Sequence, residues 1–163
     1  MSSSRKPFRI LFVCMGNICR SPAADIVFHH MVDQAGLSDR IDIDSAGTID
    51  YHTGRGPDPR MSDELASRGY PIDGSARQVT RADLDDFNLV LAMDDDNLAD
   101  LHYLDRKGTR TATVKPFTSY CTEHDLGEVP DPYYGGRGGF ATVADIIEDG
   151  CHGLLEQLRK QLD

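Results

Sequence analysis

Phe8-Arg9-Ile10-Leu11-Phe12-Val13-Cys14 runs directly into Met15-Gly16-Asn17-Ile18-Cys19-Arg20-Ser21-Pro22. The first stretch is apolar and too short for a helix, so it predicts a buried strand. Ser21 followed by Pro22 predicts a helix start, with the serine as N-cap and the proline at the first helical position. Ala23, Ile26, Val27, Met31 and Ala35 then recur at helical spacing, and Gly36 is the expected C-terminal stop. A strand leading into a helix through a short glycine-containing loop is the repeating unit of open α/β sheets.

The rest of the chain continues that alternation. Ile41-Asp42-Ile43-Asp44 has period two and predicts a second strand ending at Ser45-Ala46-Gly47. Asp58-Pro59 opens a helix carrying Met61 and Leu65 and closed by Gly69. Leu89–Met93 reads as a central strand, Asp95–Leu104 as a helix with Leu98 and Leu101 inward, and Thr113–Phe117 as a fourth strand. Thr142 with Asp145 forms a capping-box pattern. After it, Val143, Ile146, Ile147, Leu154, Leu155, Leu158 and Leu162 hold one face of a final helix. The glycine-rich run Gly135-Gly136-Arg137-Gly138-Gly139 is the one low-complexity stretch. The expected fold is a mostly parallel sheet with helices on both faces, whose ligands bind beyond the carboxyl ends of the strands. Cys14–Ser21 occupies such a position.

At 163 residues the chain fits a single domain over 8–163, preceded by a polar, serine-rich tail over 1–7. Hydrophobic residues make up 39% and charged residues 27%, a balance that supports a globular core and argues against disorder. The net charge of −10 disfavours non-specific binding to nucleic acid or to an anionic membrane. No apolar stretch approaches the roughly 20 residues of a membrane span, and Ile10–Cys14 is too short for a signal-peptide core. A cytoplasmic location is therefore expected, with Cys14, Cys19, Cys121 and Cys151 as free thiols.

The loop's chemistry follows from its residue types. Backbone N–H groups turned into a hollow at a helix N-terminus create positive potential suited to a tetrahedral oxyanion such as phosphate. Arg20 can grip two phosphate oxygens with its planar fork. The same surroundings favour the thiolate of Cys14, the nucleophilic form. Ser21 is placed to donate a hydrogen bond to that sulfur. Gly16 admits conformations closed to other residues, and Asn17 tolerates left-handed geometry and can lock the loop. A bare Cys-x5-Arg spacing also occurs by chance; its position between a strand and a helix is what gives it weight.

Val13-Cys14-Met15-Gly16-Asn17-Ile18-Cys19-Arg20-Ser21-Pro22 resembles the phosphate loop of the low-molecular-weight protein tyrosine phosphatases. Asp44-Ser45-Ala46-Gly47-Thr48, Ala76-Arg77-Gln78, Met93-Asp94 and Val129-Pro130-Asp131-Pro132-Tyr133-Tyr134 match further blocks of that family in order. The resemblance implies a four-stranded parallel sheet of flavodoxin-like topology and hydrolysis of phosphate monoesters through a phosphocysteine. It makes Cys14 the nucleophile, Arg20 the phosphoryl clamp and Asp131 the general acid, then base. It assigns Met15, Gly16, Asn17, Ile18, Cys19, Arg20 and Ser21 to phosphate binding, with Asn17, Ser45 and Ser21 as loop support. Tyr133 and Tyr134, with Met15 and Ile18, would wall a slot that suits a flat phenyl phosphate. Cys19 would form a reversible disulfide with Cys14 under oxidation. A phosphotyrosine protein or peptide would be the substrate and inorganic phosphate the product, with room for a tyrosine kinase as partner and no cofactor.

Asp131 also has a reading of its own. Phenolate and alkoxide are poor leaving groups, so the reaction needs a proton donor, and a carboxylate between two prolines is stiff and accessible. No metal signature accompanies it: Cys14 and Cys19 lack a matching pair, and His29-His30 lacks a His-Glu-x-x-His context.

One departure stands out. Many family members carry a histidine where Gly74 lies here, so Asp73 or Ser75 would have to support Asn17 and Ser45 instead. Among rivals, a thiol-coupled arsenate reductase needs relay cysteines that residues 79–100 lack. A protein arginine phosphatase would carry threonine in place of Ile18. A phosphocarrier would not need Asp131, and a catalytically dead phosphate-binding domain would not keep every catalytic position filled.

Overall fold

A computed structural model describes residues 6–132 and 138–162. The expected tail falls largely outside them, as do Tyr133 and Tyr134. In chain order the elements are β1 (Phe8–Cys14), α1 (Arg20–Gln34), β2 (Ile41–Gly47), α2 (Pro59–Ser67) and α3 (Asp83–Asp86). They continue with β3 (Leu89–Ala92), α4 (Asp95–Leu104), β4 (Thr113–Pro116), a 3-10 turn (Phe117–Tyr120) and α5 (Gly138–Leu162).

All four strands are parallel, in the order β2-β1-β3-β4. This is the flavodoxin-like doubly wound arrangement, in which the chain leaves β1 toward one neighbour and later returns to its other side. The loop after β1 therefore opens at the switch point, where crossovers diverge and leave a crevice. Register places Cys14 beside Gly47 and Val13 beside Ala92, so the carboxyl ends of three strands converge on that loop.

Strand alternation divides the core between two faces. Ile10 and Phe12 point into a cluster with Phe28, Phe117, Ile146, Ile147 and Leu154, beneath α1 and α5. Phe12 meets Phe28 and Phe117 edge-on at 5.9 and 6.0 Å. Leu11 and Val13 face the opposite way, into Leu84, Phe87, Val90 and Leu101. Because both faces are covered, β1 reads as a continuous apolar run rather than an alternating one.

Several predicted boundaries move. Helix α1 begins at Arg20, with Cys19 as N-cap, so Ser21 is not the cap and Pro22 sits within the first turn. A first-turn proline removes no helical hydrogen bond. The C-terminal stop is a Schellman motif: Gly36 lies at φ 72° and donates to the Asp33 carbonyl, while Leu37 donates to Val32. Helix α5 starts at Gly138, which puts Thr142 inside it rather than at its cap. Phe140 is buried there under the Arg60 guanidinium, 4.8 Å from the ring centre, and this packing overrides the poor helix propensity of the glycines. Phe117 belongs to the 3-10 turn, not to β4, and α3 is a short turn without a periodic signature.

Candidate active site

Cys14 ends β1 and is buried, 3% exposed. Its Sγ lies 3.0 Å from Ser21 Oγ in the first turn of α1. The early start of the helix explains this contact. A serine at the N-cap would turn its hydroxyl to the helix backbone; two residues past the cap, the Ser21 hydroxyl faces the sulfur.

Asn17 organises the intervening loop from a left-handed backbone position, φ 58°. Its carboxamide nitrogen donates to Ser21 Oγ at 2.8 Å and Ser45 Oγ at 3.0 Å. Its oxygen accepts from the Arg77 backbone N–H at 3.0 Å. Arg77, rather than Asp73 or Ser75, thus supplies the remaining support. Asp73 accepts from the N–H of Gly74, and both Asp73 and Ser75 border a small cavity beside Asn17 and Ser45.

Arg20 lies nearly out of solvent, its side chain 3% exposed. One guanidinium nitrogen donates to Asp94 Oδ2 at 2.6 Å and to the Val129 carbonyl at 3.0 Å. The other reaches Asp131 Oδ2 at 3.4 Å. Burial alone would favour loss of its proton, but the Cys14 sulfur, Asp94 and Asp131 outweigh it and hold Arg20 more firmly protonated than usual. The guanidinium is thus fixed on one edge, with the other turned toward Asp131.

Asp131 rides on a loop tied to the sheet: the Val129 N–H donates to the Met93 carbonyl at 2.8 Å. Together Cys14, Met15, Gly16, Ile18, Cys19, Arg20, His52 and Asp131 line one cleft. Of these, Met15 is 39% exposed and Ile18 is buried. Burial, and then the Asp58 carboxylate, push the Cys19 thiol far above the ordinary range, which leaves it protonated. All four cysteines are free. Among the described residues no three His, Cys, Asp or Glu side chains gather into a metal site.

Three contributors were not singled out as site residues from sequence. Asp94 anchors Arg20 while its other oxygen caps α4 through the Asn97 N–H at 2.7 Å. Its signal is a carboxylate at the N-cap directly after a central strand. Arg77 lies within the Ala76-Arg77-Gln78 block, where nothing local marks its backbone N–H as a partner of Asn17. His52 packs so closely that a Cβ on Gly16 would lie 2.9 Å from its ring; nothing in the local pattern marks it.

Comparison with known proteins agrees with this geometry. A sequence model of the family described as low molecular weight phosphotyrosine protein phosphatase matches residues 9–163. A Synechocystis protein named a putative low molecular weight protein-tyrosine-phosphatase is 48% identical, across 94% of this chain and 98% of its own. The crystal structure of YfkJ from Bacillus subtilis superposes with a TM-score of 0.90 at 38% identity, covering 98% of this chain and 99% of that one. A protein tyrosine phosphatase from Entamoeba histolytica, with Hepes in its active site, gives 0.88 at 39% identity, over 96% and 99% of the two chains. The sulfur, the hydroxyl behind it and the paired arginine are thus set in a fold shared nearly end to end with these enzymes, and the chain belongs to the low molecular weight phosphotyrosine protein phosphatase family.

Proposed function

We propose that this protein hydrolyses phosphotyrosine in proteins or peptides through a phosphocysteine at Cys14. The observation that carries the reading is Cys14 Sγ, 3.0 Å from Ser21 Oγ, at the floor of a cleft that also holds Arg20 and Asp131. In the first step the Cys14 thiolate attacks phosphorus; the S–P bond forms, the P–O bond to the phenol breaks, and Asp131 gives its proton to the departing oxygen. Arg20 and the loop from Met15 to Ser21 hold the equatorial phosphoryl oxygens. In the second step Asp131, now ionised, takes a proton from water as the water oxygen attacks phosphorus. The S–P bond breaks, and the leaving thiolate is met by the Ser21 hydroxyl. Inorganic phosphate departs and Asp131 is protonated again.

Met15 and Ile18 at the mouth favour a flat aryl group over the short, polar phosphoserine side chain. Phosphoproteins are then the partners, and a tyrosine kinase supplies the substrate. A cytoplasmic setting suits a mechanism that needs Cys14 reduced. The test is a comparison of kcat/KM on matched phosphotyrosine, phosphoserine and phosphoarginine peptides. The reading expects phosphotyrosine to lead clearly; equal or faster turnover of either rival would refute the substrate assignment.

A further inference from the structure

A carboxamide can face its neighbours in two ways, and around Asn17 the two have different consequences for the sulfur. In the observed orientation the nitrogen donates to Ser21 and Ser45, while the oxygen accepts from the Arg77 N–H. Ser21 Oγ, already accepting from Asn17, has one proton to give, and its acceptors are Cys14 Sγ at 3.0 Å and the Ala46 carbonyl at 3.3 Å. Rotated by half a turn, the amide would set its nitrogen against the Arg77 N–H, donor to donor. It would also offer Ser21 an oxygen, drawing the hydroxyl proton away from sulfur. The Arg77 N–H selects the first arrangement.

That N–H is itself held by an ion cluster outside the cleft. The Arg77 guanidinium donates to Asp83 Oδ2 at 2.9 Å and Oδ1 at 3.1 Å, and to Asp44 Oδ2 at 3.2 Å. Asp83 is buried and also accepts from the Thr80 N–H, which fixes the carboxylate in turn. The backbone of Arg77 accepts from the Gly47 N–H at 2.8 Å, tying the same residue to the strand end beside Cys14.

We propose that Arg77 is a positioning residue for the reaction: clamped by Asp83 and Asp44, it fixes the Asn17 amide and thereby aims the Ser21 hydroxyl proton at Cys14. This deepens the phosphocysteine reading and rests on it. The aimed proton stabilises a thiolate that is leaving, so the device acts chiefly on breakdown of the phosphoenzyme. Losing one such hydrogen bond is worth roughly a factor of ten in rate.

The test separates the two chemical steps by stopped-flow with 4-nitrophenyl phosphate, in the wild type, Arg77→Met, Ser21→Ala and the double variant. Arg77→Met should slow phosphoenzyme breakdown about tenfold while the initial burst keeps its amplitude. In the Ser21→Ala background the same change should cost little more, because both act through one proton. Multiplying losses in the double variant, or equal slowing of formation and breakdown, would overturn the proposal. Should Arg77→Met not fold, Asp83→Asn reads the same quantity, with slowed breakdown expected and unchanged breakdown refuting it. A wild type without any burst would instead refute the phosphocysteine reading itself.

Discussion

The Asp94 carboxylate does two jobs with two oxygens: Oδ2 holds the Arg20 guanidinium at 2.6 Å, and Oδ1 caps α4 at the Asn97 N–H. A helix start on one crossover is thereby rigidly tied to the phosphate clamp on another.

Asparagine is a good N-cap but carries no charge, so Asp94→Asn separates the two roles. We expect thermal stability close to wild type and kcat/KM for aryl phosphates about tenfold lower, because Arg20 loses its fixed orientation. Asp94→Ala should lose the activity and, in addition, about 1 kcal/mol of stability with the cap. Unchanged kcat/KM in Asp94→Asn would show that Arg20 is positioned without it.

Asp131→Asn should affect substrates unequally. With phenyl phosphate, whose leaving group needs a proton, kcat/KM, which reads the first step alone, should fall by roughly 10²–10³. With 4-nitrophenyl phosphate, whose phenolate leaves unaided, the loss should be much smaller. A uniform loss across a leaving-group series would remove Asp131 from the acid role.

Cys19 shares the cleft with Cys14 but is held as a thiol by burial and by Asp58. Once peroxide converts Cys14 to a sulfenic acid, attack by Cys19 would form a disulfide with loss of water and block further oxidation. Wild-type activity should return on adding dithiothreitol, whereas Cys19→Ala should stay largely inactive after the same treatment. Full recovery of the variant would exclude this protective role.

Far from the cleft, Asp149 in α5 accepts from the backbone N–H groups of Thr122, Glu123 and His124, and it faces the His124 ring at 2.8 Å. These bonds outweigh burial and hold its carboxyl down at about 2. A depressed folded-state value stabilises the protein above the unfolded value near 3.8, and that contribution is lost as pH falls toward 2. Asp149→Ala should cost on the order of 2 kcal/mol at pH 7, and its denaturant midpoint should vary less than the wild type's between pH 4 and 2. Parallel pH profiles for the two proteins would contradict this assignment.

Much of the architecture was legible because it is local. The apolar run of β1, the Pro59 helix start behind Asp58 and the Gly36 stop each carry their signal within a few residues. What escaped was decided by distant partners. Ser21 has the composition of a cap, yet its hydroxyl is spent on Cys14, and the helix starts two residues sooner. The start of α5 at Gly138 contradicts propensity, because Phe140 packs under Arg60 from α2. In the site, Cys14, Arg20 and Asp131 could be named from spacing and resemblance. The Arg20–Asp94 contact spans 74 residues of sequence and Asn17–Arg77 spans 60. Neither contact has a pattern that a window along the chain could reveal.

A covalent phosphoryl group on Cys14 is the claim on which the mechanism turns, and rapid-quench labelling tests it most directly. Mixing the protein with radiolabelled phenyl phosphate and quenching in acid within milliseconds should trap about one label per molecule, and peptide mapping should place it on Cys14. The Cys14→Ser variant should trap no thiophosphate. Phenol release without a trapped intermediate, or label on any other residue, would contradict the account.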